Sequence, residues 1–249
     1  MVDHSQFKLG RKAVKTDTRT LNLRKYLGAT LPTPPVAVDW TNGITSYGMM
    51  KNDSLGDCTI AGCGHAVQIW TANTGGEVTV SDATIESYYE KWDGYNPNDP
   101  STDQGGIELD VLTDWKAQEF AGIPLLGFAD PALANLKEIR TAINLFGGVY
   151  IGLNLPVTAQ TQEVWDVLAN GSSDAKPGSW GGHCVFVPTY DASSFTCITW
   201  GGLKKMTAAF WNSYCDEAHA LLSTAWIEQN VPVKRFDLAT LKADLALIR

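Results

Sequence analysis

A cysteine and a histidine stand where their surroundings favour nucleophilic chemistry. Cys58 follows Gly56 and Asp57 in the segment NDSLGDC, and small and apolar residues with helical character come after it. A cysteine in the first turn of a helix faces free backbone N–H groups and the positive end of the helix dipole, which stabilise a thiolate. The pattern therefore predicts Cys58 as a nucleophile. Its own N–H and the Asn52 amide are the candidate oxyanion donors.

His183 is a better candidate base for this thiol than His65 or His219. It follows a Gly-Gly pair and opens an apolar, strand-like run, so its approach is open and its backbone rigid. His65 lies seven residues after Cys58 on the same predicted helix, about two turns away, too far for a thiol–imidazole hydrogen bond. His219, in DEAHALL, is predicted as an ordinary residue on a helix face.

Other interpretations of the cysteines stay open. A lone cysteine is more often a small buried residue than a nucleophile. The other four are predicted to be structural: Cys63, Cys184, Cys197 and Cys215. A zinc site from Cys58, Cys63 and His65 is disfavoured, because these positions do not share a helix face and no CxxC pair exists.

The polar loop at 93–104 is a weak candidate for a calcium site. It is rich in carboxylates and amides, but it lacks the EF-hand pattern of acids and the terminal glutamate. The sequence thus predicts neither a metal nor another cofactor.

Composition and charge disfavour several classes of function. The 249 residues are 44% apolar and 18% charged, typical of a folded chain with a substantial core. A net charge of −8 disfavours nucleic-acid binding. No apolar run approaches the roughly 18 residues of a membrane span, and no secretory signal is visible. Five cysteines, an odd number, fit reduced thiols, so a cytoplasmic or virion-associated location is expected.

Residues 1–35 are predicted to form a basic N-terminal arm. The first thirty residues carry seven basic and two acidic side chains, a net charge of +5, which leaves −13 for the rest. LPTPP at 31–35 stiffens the chain and disfavours helix. The arm could cross a cleft as an inhibitory segment, dock along the acidic body, or contact a protein partner. Its shortness favours docking or a partner contact.

Hydrophobic periodicity places the candidate residues on defined elements. Helices are predicted for Cys58 to about Thr74, capped by Asp57 and ending at Gly75-Gly76, and for five further segments: 81–92, 107–120, 135–147, 206–222 and 236–249. Strands are predicted for 148–155, 183–191 and 195–201, the last two joined by a hairpin turn.

This order of elements favours an α+β fold, since helices dominate the first half and strands the second. The predicted domain at 36–230 has a helical lobe at about 36–140 and an antiparallel sheet lobe at about 141–230. A docked C-terminal helix occupies 231–249. The cleft would lie between the lobes.

Five short motifs, taken in order, resemble the papain-like cysteine peptidases. VDW at 38–40 resembles the start of the mature chain, and KNDSLGDC the oxyanion segment that leads to the nucleophile. DQGG at 103–106 resembles the glycine pair that binds the substrate backbone. GGHCVFVPTYD and ITWGG resemble the histidine strand and the Asn-Ser-Trp-Gly turn.

The resemblance implies a papain-like fold and a role for each matching residue. Cys58 would be the nucleophile, His183 the acid and base, and Asn52 the oxyanion donor in place of the usual Gln. Trp200 would shield the third triad member. The residues expected to contact an extended peptide substrate are Gly105, Gly106, Trp180, Gly182 and Trp200.

One departure concerns the residue that orients the histidine. The orienting Asn of the family aligns with Ile198, which cannot hydrogen-bond an imidazole. Thr199 is the nearest polar substitute, and Asp191 is an alternative. The sequence also resembles papain-like proteins of bacteria and actinobacterial phages. They share FKLGRK, NPNDPSTDQG, the YCDEA segment and the FDL tail, and bring no established activity.

The prediction is a cysteine peptidase-like hydrolase that forms an acyl-enzyme from a peptide or amide carbonyl. The alternative is a weak or inactive papain-like scaffold that serves as a binding or virion-associated structural protein, which Ile198 favours. Another Cys-His acyl transferase, such as a transglutaminase or amidase, would keep the same residue pair.

Overall fold

A long helix packed on one face of a mostly antiparallel sheet organises the chain. The computed structural model describes residues 3–28, 33–168, 171–231 and 236–247. The helices are α1 (Cys58–Thr74), α2 (Asp82–Asp93), α3 (Glu108–Ala117), α4 (Leu136–Phe146), α5 (Ala208–Tyr214), α6 (Thr224–Asn230) and α7 (Leu238–Leu247). The strands are β1 (Leu21–Asn22), β2 (Val38–Asp39), β3 (Gly127–Asp130), β4 (Val149–Leu155), β5 (Gly181–Tyr190), β6 (Ser194–Thr199), β7 (Gly202–Thr207) and β8 (Cys215–Leu222). The predicted α+β class is confirmed.

Helix α1 has the predicted bounds and is the core helix of one lobe. Every residue from Cys58 to Trp70 is buried, which accounts for an apolar composition on all sides of the helix. Gly75 ends the helix in the left-handed conformation, with φ of 109°. Asp57 occupies the N-cap position as predicted, but its side chain makes no capping hydrogen bond.

The sheet runs in the order β1-β3-β8-β4-β5-β6-β7, with β2 paired to β5. Strand β4 is central and pairs antiparallel with both β5 and β8. Its side chains alternate: Tyr150 joins the apolar cluster around α1, whereas Val149, Ile151 and Leu153 join the cluster on the opposite face. Because helices cover both faces, the strand reads as an uninterrupted apolar run.

The helix predicted for 206–222 is wrong in its second half. This segment forms the end of β7 and then the short helix α5, which ends at Tyr214. It continues as strand β8. Residues 215–222 have good local helix propensity, but they find open strand edges on β3 and β4, and this tertiary pairing prevails. Strand β3 and helix α6 were not predicted.

The C-terminal helix docks on the body through Leu241 and Leu245, both buried. Leu238 packs against the same cluster, while Ile248, a further apolar residue of this predicted helix, lies outside the described residues. Across the described part of the chain, the helices are all too short or too polar to cross a bilayer.

The central strand should dominate stability. Leu153 is fully buried, so Leu153→Ala is expected to lower the free energy of unfolding by about 2–5 kcal/mol through lost burial and the cavity left behind. The matched control is Leu203→Ala on β7, where the side chain is 48% exposed and the expected change is within about 0.5 kcal/mol. Urea denaturation measures both, and equal losses would contradict the assignment of the core.

Candidate active site

Cys58 is the first residue of α1, and its sulfur joins this helix to strand β5. The backbone N–H of Cys184 donates to Cys58 Sγ at 3.3 Å. The backbone N–H of Gly10, from the arm, also faces this sulfur and acts to lower the pKa of its thiol. The sulfur is therefore held beside the backbone of the residue that follows His183, although 125 positions separate Cys58 from His183 in the chain.

The His183 ring is held by two residues from the β6–β7 turn. Its Nε2 lies 2.8 Å from Thr199 Oγ1, a hydrogen bond. The Trp200 indole stacks on the ring, with centroids 4.7 Å apart and planes 17° from parallel. Trp200 adopts a left-handed backbone (φ 48°), a conformation that costs energy for a non-glycine residue and is common at functional sites. Among the described residues, His183 Nδ1 has no hydrogen-bond partner.

Thr199, the substitute suggested by the sequence, thus hydrogen-bonds the His183 ring. Ile198 points to the α1 face of the sheet and is buried in its apolar cluster. Asp191 does not serve: its carboxylate accepts from Ser193 and Ser194 in the β5–β6 turn and pairs with Lys205.

Asn52 is buried close to the start of α1, but its amide is already engaged. Its Nδ2 donates to Asp57 Oδ1 at 3.2 Å. Burial raises the pKa of Asp57 well above its usual range, and Asp57 Oδ2 has no hydrogen-bond partner in the described structure. One N–H of the Asn52 amide is therefore engaged with Asp57, and its second N–H is the remaining donor for an oxyanion.

The arm crosses the cleft directly over Cys58. Gly106 N–H donates to the Gly10 carbonyl at 2.8 Å, and Lys12 N–H donates to the Gly106 carbonyl at 2.8 Å. On the other wall, Arg11 N–H donates to the Gly182 carbonyl at 3.0 Å. The glycines expected to bind an extended substrate therefore bind an extended segment of the same chain.

Missing side chains make this close approach possible. A Cβ built on Gly10 would lie 1.7 Å from the Gly56 carbonyl oxygen, and one on Gly105 would lie 1.8 Å from the Gly10 oxygen. A Cβ on Gly182 would lie 2.2 Å from the Arg11 oxygen. Any side chain at these positions would push the arm out of the cleft.

Contacts on both sides of Gly10 fasten the rest of the arm. His4 stacks on the outer face of Trp200 with centroids 4.8 Å apart, and Trp180 completes this aromatic wall 5.7 Å from Trp200. Lys8 pairs with Asp103 at 2.7 Å. Further along, β1 pairs with β3, and Tyr26 donates to Asp244 at 2.7 Å. The shortness of the arm favoured docking along the body or a partner contact over a path across the cleft, but an extended segment needs few residues to cross it.

Cys58 and His183 are both uncharged while the arm covers them. Cys58 and His183 are both fully buried. Burial raises the pKa of the Cys58 thiol to about 12 and lowers the pKa of His183 to about 3. The thiol is therefore protonated and the imidazole neutral at pH 7. The thiolate expected from the helix terminus is not present while the arm is docked.

Sequence reasoning missed a buried charged cluster beside the cleft. Arg11 from the arm enters it and meets Glu108 from α3 and Asp216 and Glu217 from β8. His219, predicted on a helix face, lies on β8 and hydrogen-bonds Glu217 at 3.2 Å. The sequence signal for this cluster was the presence of two acidic residues, Glu108 and Glu217, in segments rich in buried apolar residues.

All five cysteines are free and buried, which agrees with the structural role predicted for four of them. Cys63 Sγ donates to the Thr59 carbonyl within α1 at 3.3 Å. Cys184 packs on the α1 face of β5, opposite to His183, because successive side chains of a strand point to opposite faces. The 93–104 loop is tied by internal turns, such as Ser101 N–H to Asp99.

Comparison with known proteins gives a clear result for the fold. No protein-family model and no curated protein matches the sequence. Xylellain, a cysteine protease from Xylella fastidiosa, matches the structure with a TM-score of 0.67 at 14% identity, over 88% of this chain and 97% of that chain.

Two further solved structures give the same result. Procathepsin L 3 from the larval midgut of Tenebrio molitor has a TM-score of 0.55 at 14% identity, over 84% of this chain and 75% of that one. Bromelain protease from Ananas comosus, solved with the E64 inhibitor, has a TM-score of 0.53 at 14% identity, over 76% and 99%. The chain has the papain-like fold, and identities this low establish the fold alone.

The close approach of the arm gives a test of its placement. Gly10→Ala should expel the arm, because the added Cβ would overlap the Gly56 carbonyl. We expect iodoacetamide to label Cys58 at least about tenfold faster than in the unaltered chain, as the thiol becomes accessible. Peptide mapping by mass spectrometry distinguishes it from the other four cysteines.

Gly76→Ala is the matched control, since nothing lies within 4 Å of a Cβ at that exposed position. It should leave the labelling rate unchanged. Slow labelling of Cys58 in a stably folded Gly10→Ala chain would show that the arm does not cover the sulfur.

Docking of the arm should weaken in acid. The pKa of His183 is about 3 when covered, against an ordinary value near 6.5, so below pH 6.5 the open state takes up a proton that the closed state does not. The pKa of His4 is also lowered by burial and acts in the same direction. From pH 7 to pH 5, opening should become about 30-fold more favourable for one histidine.

Hydrogen exchange at the Arg11 and Lys12 amides, corrected for intrinsic rates, measures this opening. His183→Gln, which does not titrate, should remove most of the dependence. Protection that stays constant or rises in acid would contradict the assignment of His183 as a neutral group beneath the arm.

Proposed function

We infer that the chain is a cysteine peptidase or amidase held latent by its own N-terminal arm. The observation that supports this most directly is the arm's backbone pairing. Gly10, Arg11 and Lys12 form hydrogen bonds with Gly106 and Gly182 on both sides of the Cys58 sulfur. A cleft that binds one extended peptide across a helix-terminal cysteine offers the geometry that a peptide substrate requires.

The proposed reaction begins when the arm leaves. The Cys58 thiol gives its proton to His183, and the thiolate attacks the substrate carbonyl carbon, forming a C–S bond and an oxyanion. The Cys58 backbone N–H and the Asn52 amide are the proposed donors to that oxyanion. As it collapses, the C–N bond breaks and His183 returns the proton to the leaving amine. Water, deprotonated by His183, then hydrolyses the thioester and releases the acid.

Thr199 is the proposed positioning residue for His183. Its hydroxyl hydrogen-bonds Nε2, which leaves Nδ1 as the nitrogen free to exchange a proton with the thiol. A hydroxyl fixes ring orientation less strongly than an amide or carboxylate and stabilises an imidazolium less, so turnover should be slow.

The alternative, a binding or virion-associated scaffold, also has specific support. The arm is docked at several separate places, the thiol is protonated beneath it, and a threonine hydroxyl contacts His183 in place of the orienting Asn of the family. The resemblance to phage and bacterial proteins suits this alternative, because it brings no established activity.

Gly10→Ala provides the form in which activity is tested. We expect it to react with the epoxide E-64 at Cys58 and to hydrolyse fluorogenic peptides, whereas the double variants with Cys58→Ala or His183→Ala should do neither. Adding an amine separates hydrolysis from acyl transfer, because a transferase would form the new amide. An open, folded chain whose Cys58 reacts no faster than the other cysteines would leave only the scaffold.

Thr199→Val, in the same background, should lower kcat by about 10- to 100-fold because the imidazole loses its orienting partner. Thr199→Ser restores the hydroxyl and should recover most of the loss. The acidic limb of the kcat pH profile should shift in the Val variant and not in the Ser variant. An unchanged kcat in Thr199→Val would remove Thr199 from the mechanism.

A further inference from the structure

We propose that the pocket filled by Arg11 is a recognition site for an arginine side chain of the substrate, built from Glu108, Asp216 and Glu217. This rests on the proposed function, because a substrate enters the pocket only when the arm has left the cleft. It adds a substrate class: peptides or amides that carry a guanidinium group next to the reacting carbonyl.

Three carboxylates surround the Arg11 guanidinium. Arg11 Nε lies 3.1 Å from Glu108 Oε1, and Nη2 lies 2.6 Å from Asp216 Oδ1 and 2.9 Å from Glu217 Oε2. The Arg11 and Glu108 side chains are 1% and 0% exposed. The Nη2 contact with Glu217 is a hydrogen bond and the other two are ion-pair contacts, so the pocket holds the guanidinium mainly by charge.

The pocket is also shaped for a flat group. A Cβ on Gly152, in the middle of β4, would lie 2.2 Å from Arg11 Nε and 2.4 Å from its Cζ. The guanidinium therefore lies directly against the strand backbone. A glycine in the centre of a buried strand weakens the strand, and here it leaves the room that the guanidinium occupies.

The position of the pocket links it to Cys58. Arg11 follows Gly10, whose N–H faces the Cys58 sulfur, and Arg11 is paired with both cleft walls through Gly106 and Gly182. A side chain that enters this pocket therefore belongs to a residue whose backbone is bound beside the sulfur. The pocket adjoins a cavity of about 380 Å³, lined by arm residues and by Asp130, Asp216, Glu217 and His219.

An emptied pocket would carry uncompensated negative charge. Burial and the nearby Glu217 raise the pKa of Glu108 to about 8 even with Arg11 in place, so the negative charge of the emptied pocket resides mainly on the other carboxylates. The remaining cation is His219, whose Nδ1 and Nε2 are hydrogen-bonded to Asp130 and Glu217. Removing one partner of a buried ion pair is strongly unfavourable, so the open state favours another cation in the same place.

A metal ion is the competing occupant. One ligand atom each from Glu108, Glu217 and His219 lie within 4.8 Å of one another. The geometry favours a guanidinium, because both ring nitrogens of His219 are engaged with carboxylates and neither is free to bind a metal. Burial lowers the pKa of His219, but its carboxylate partners outweigh this and raise it to about 10, so the ring is protonated.

Two full-length variants both open the cleft, but only one of them retains the pocket. Gly10→Ala expels the arm at the Gly56 carbonyl and leaves the pocket intact. Gly152→Ala excludes the Arg11 guanidinium and fills the same space against any other guanidinium. Both retain all the carboxylates, so they differ in pocket volume and not in pocket charge.

The first measurement is binding, which needs no activity. Butylguanidine should raise the melting temperature of Gly10→Ala, and the neutral isostere butylurea should not. Neither probe should act on the unaltered chain, whose pocket is full, or on Gly152→Ala. Stabilisation of Gly10→Ala by Zn²⁺ or Mg²⁺ in place of butylguanidine would overturn the proposal in favour of a metal site.

The second measurement is hydrolysis of two peptide series, with one arginine or one citrulline moved through successive positions. For Gly10→Ala, arginine should exceed citrulline at one position near the cleaved bond by at least about tenfold in kcat/KM, and Gly152→Ala should lose this preference. Should Gly10→Ala fail to fold, Arg11→Gly empties the pocket in the same chain and is tested with the same probes.

The outcomes separate the two proposals. Cleavage that does not distinguish arginine from citrulline, with no response to butylguanidine, would overturn the pocket and leave the peptidase standing. Binding of butylguanidine without cleavage of any peptide would support the pocket while the proposed reaction fails.

Discussion

The hydrogen bond from the Cys184 N–H to the Cys58 sulfur is the contact on which the site depends. It fixes the first turn of α1 against β5, so a residue of the helical part and the residue after His183 meet at one point. Tyr150 supports the same junction from β4, since its hydroxyl donates to the Thr59 carbonyl at 2.8 Å. With helix and sheet joined there, the cleft walls at Gly106 and Gly182 stand at the separation of one extended peptide.

That spacing explains why the arm and the site form one structure. The cleft is narrow enough for a single backbone, and only glycines allow a backbone to approach this closely. Occupying it removes water from Cys58 and His183 and drives both to their neutral forms. Accessibility and ionisation are therefore controlled by the same contact, and neither changes without the other.

Local chemistry made much of the fold predictable. The bounds of α1 followed from Asp57, Gly75 and its mostly apolar residues, and α2 matches the predicted segment 81–92 to within one residue at each end. Strand β8 could not be predicted, because CDEAHALL suits a helix until β3 and β4 offer strand edges to it. The same error hid the charged cluster: Glu217 and His219 share a face with a period of two but not with a period of 3.6.

The site itself was predictable only as a set of candidates. Short motifs indicated Cys58, His183 and Thr199, but their packing depends on contacts between distant segments. The pairing of Arg11 with Glu217 spans 206 positions, and no local pattern announces it. The placement of the arm was likewise beyond sequence, since it depends on how close two glycine backbones come rather than on charge or propensity.

The contacts that hold the arm beyond the cleft, at β1 and Tyr26, have a kinetic consequence. Strand β1 and Tyr26 fasten residues beyond the cleft segment to β3 and α7, so a released Gly10 stays attached to the body through a tether of about ten residues. A short tether keeps a ligand at an effective concentration on the order of millimolar. Recapture is therefore a first-order event within one molecule, and diluting the protein cannot free the cleft. Lasting exposure requires that the covalent connection be cut or that a tighter ligand take the place of the arm.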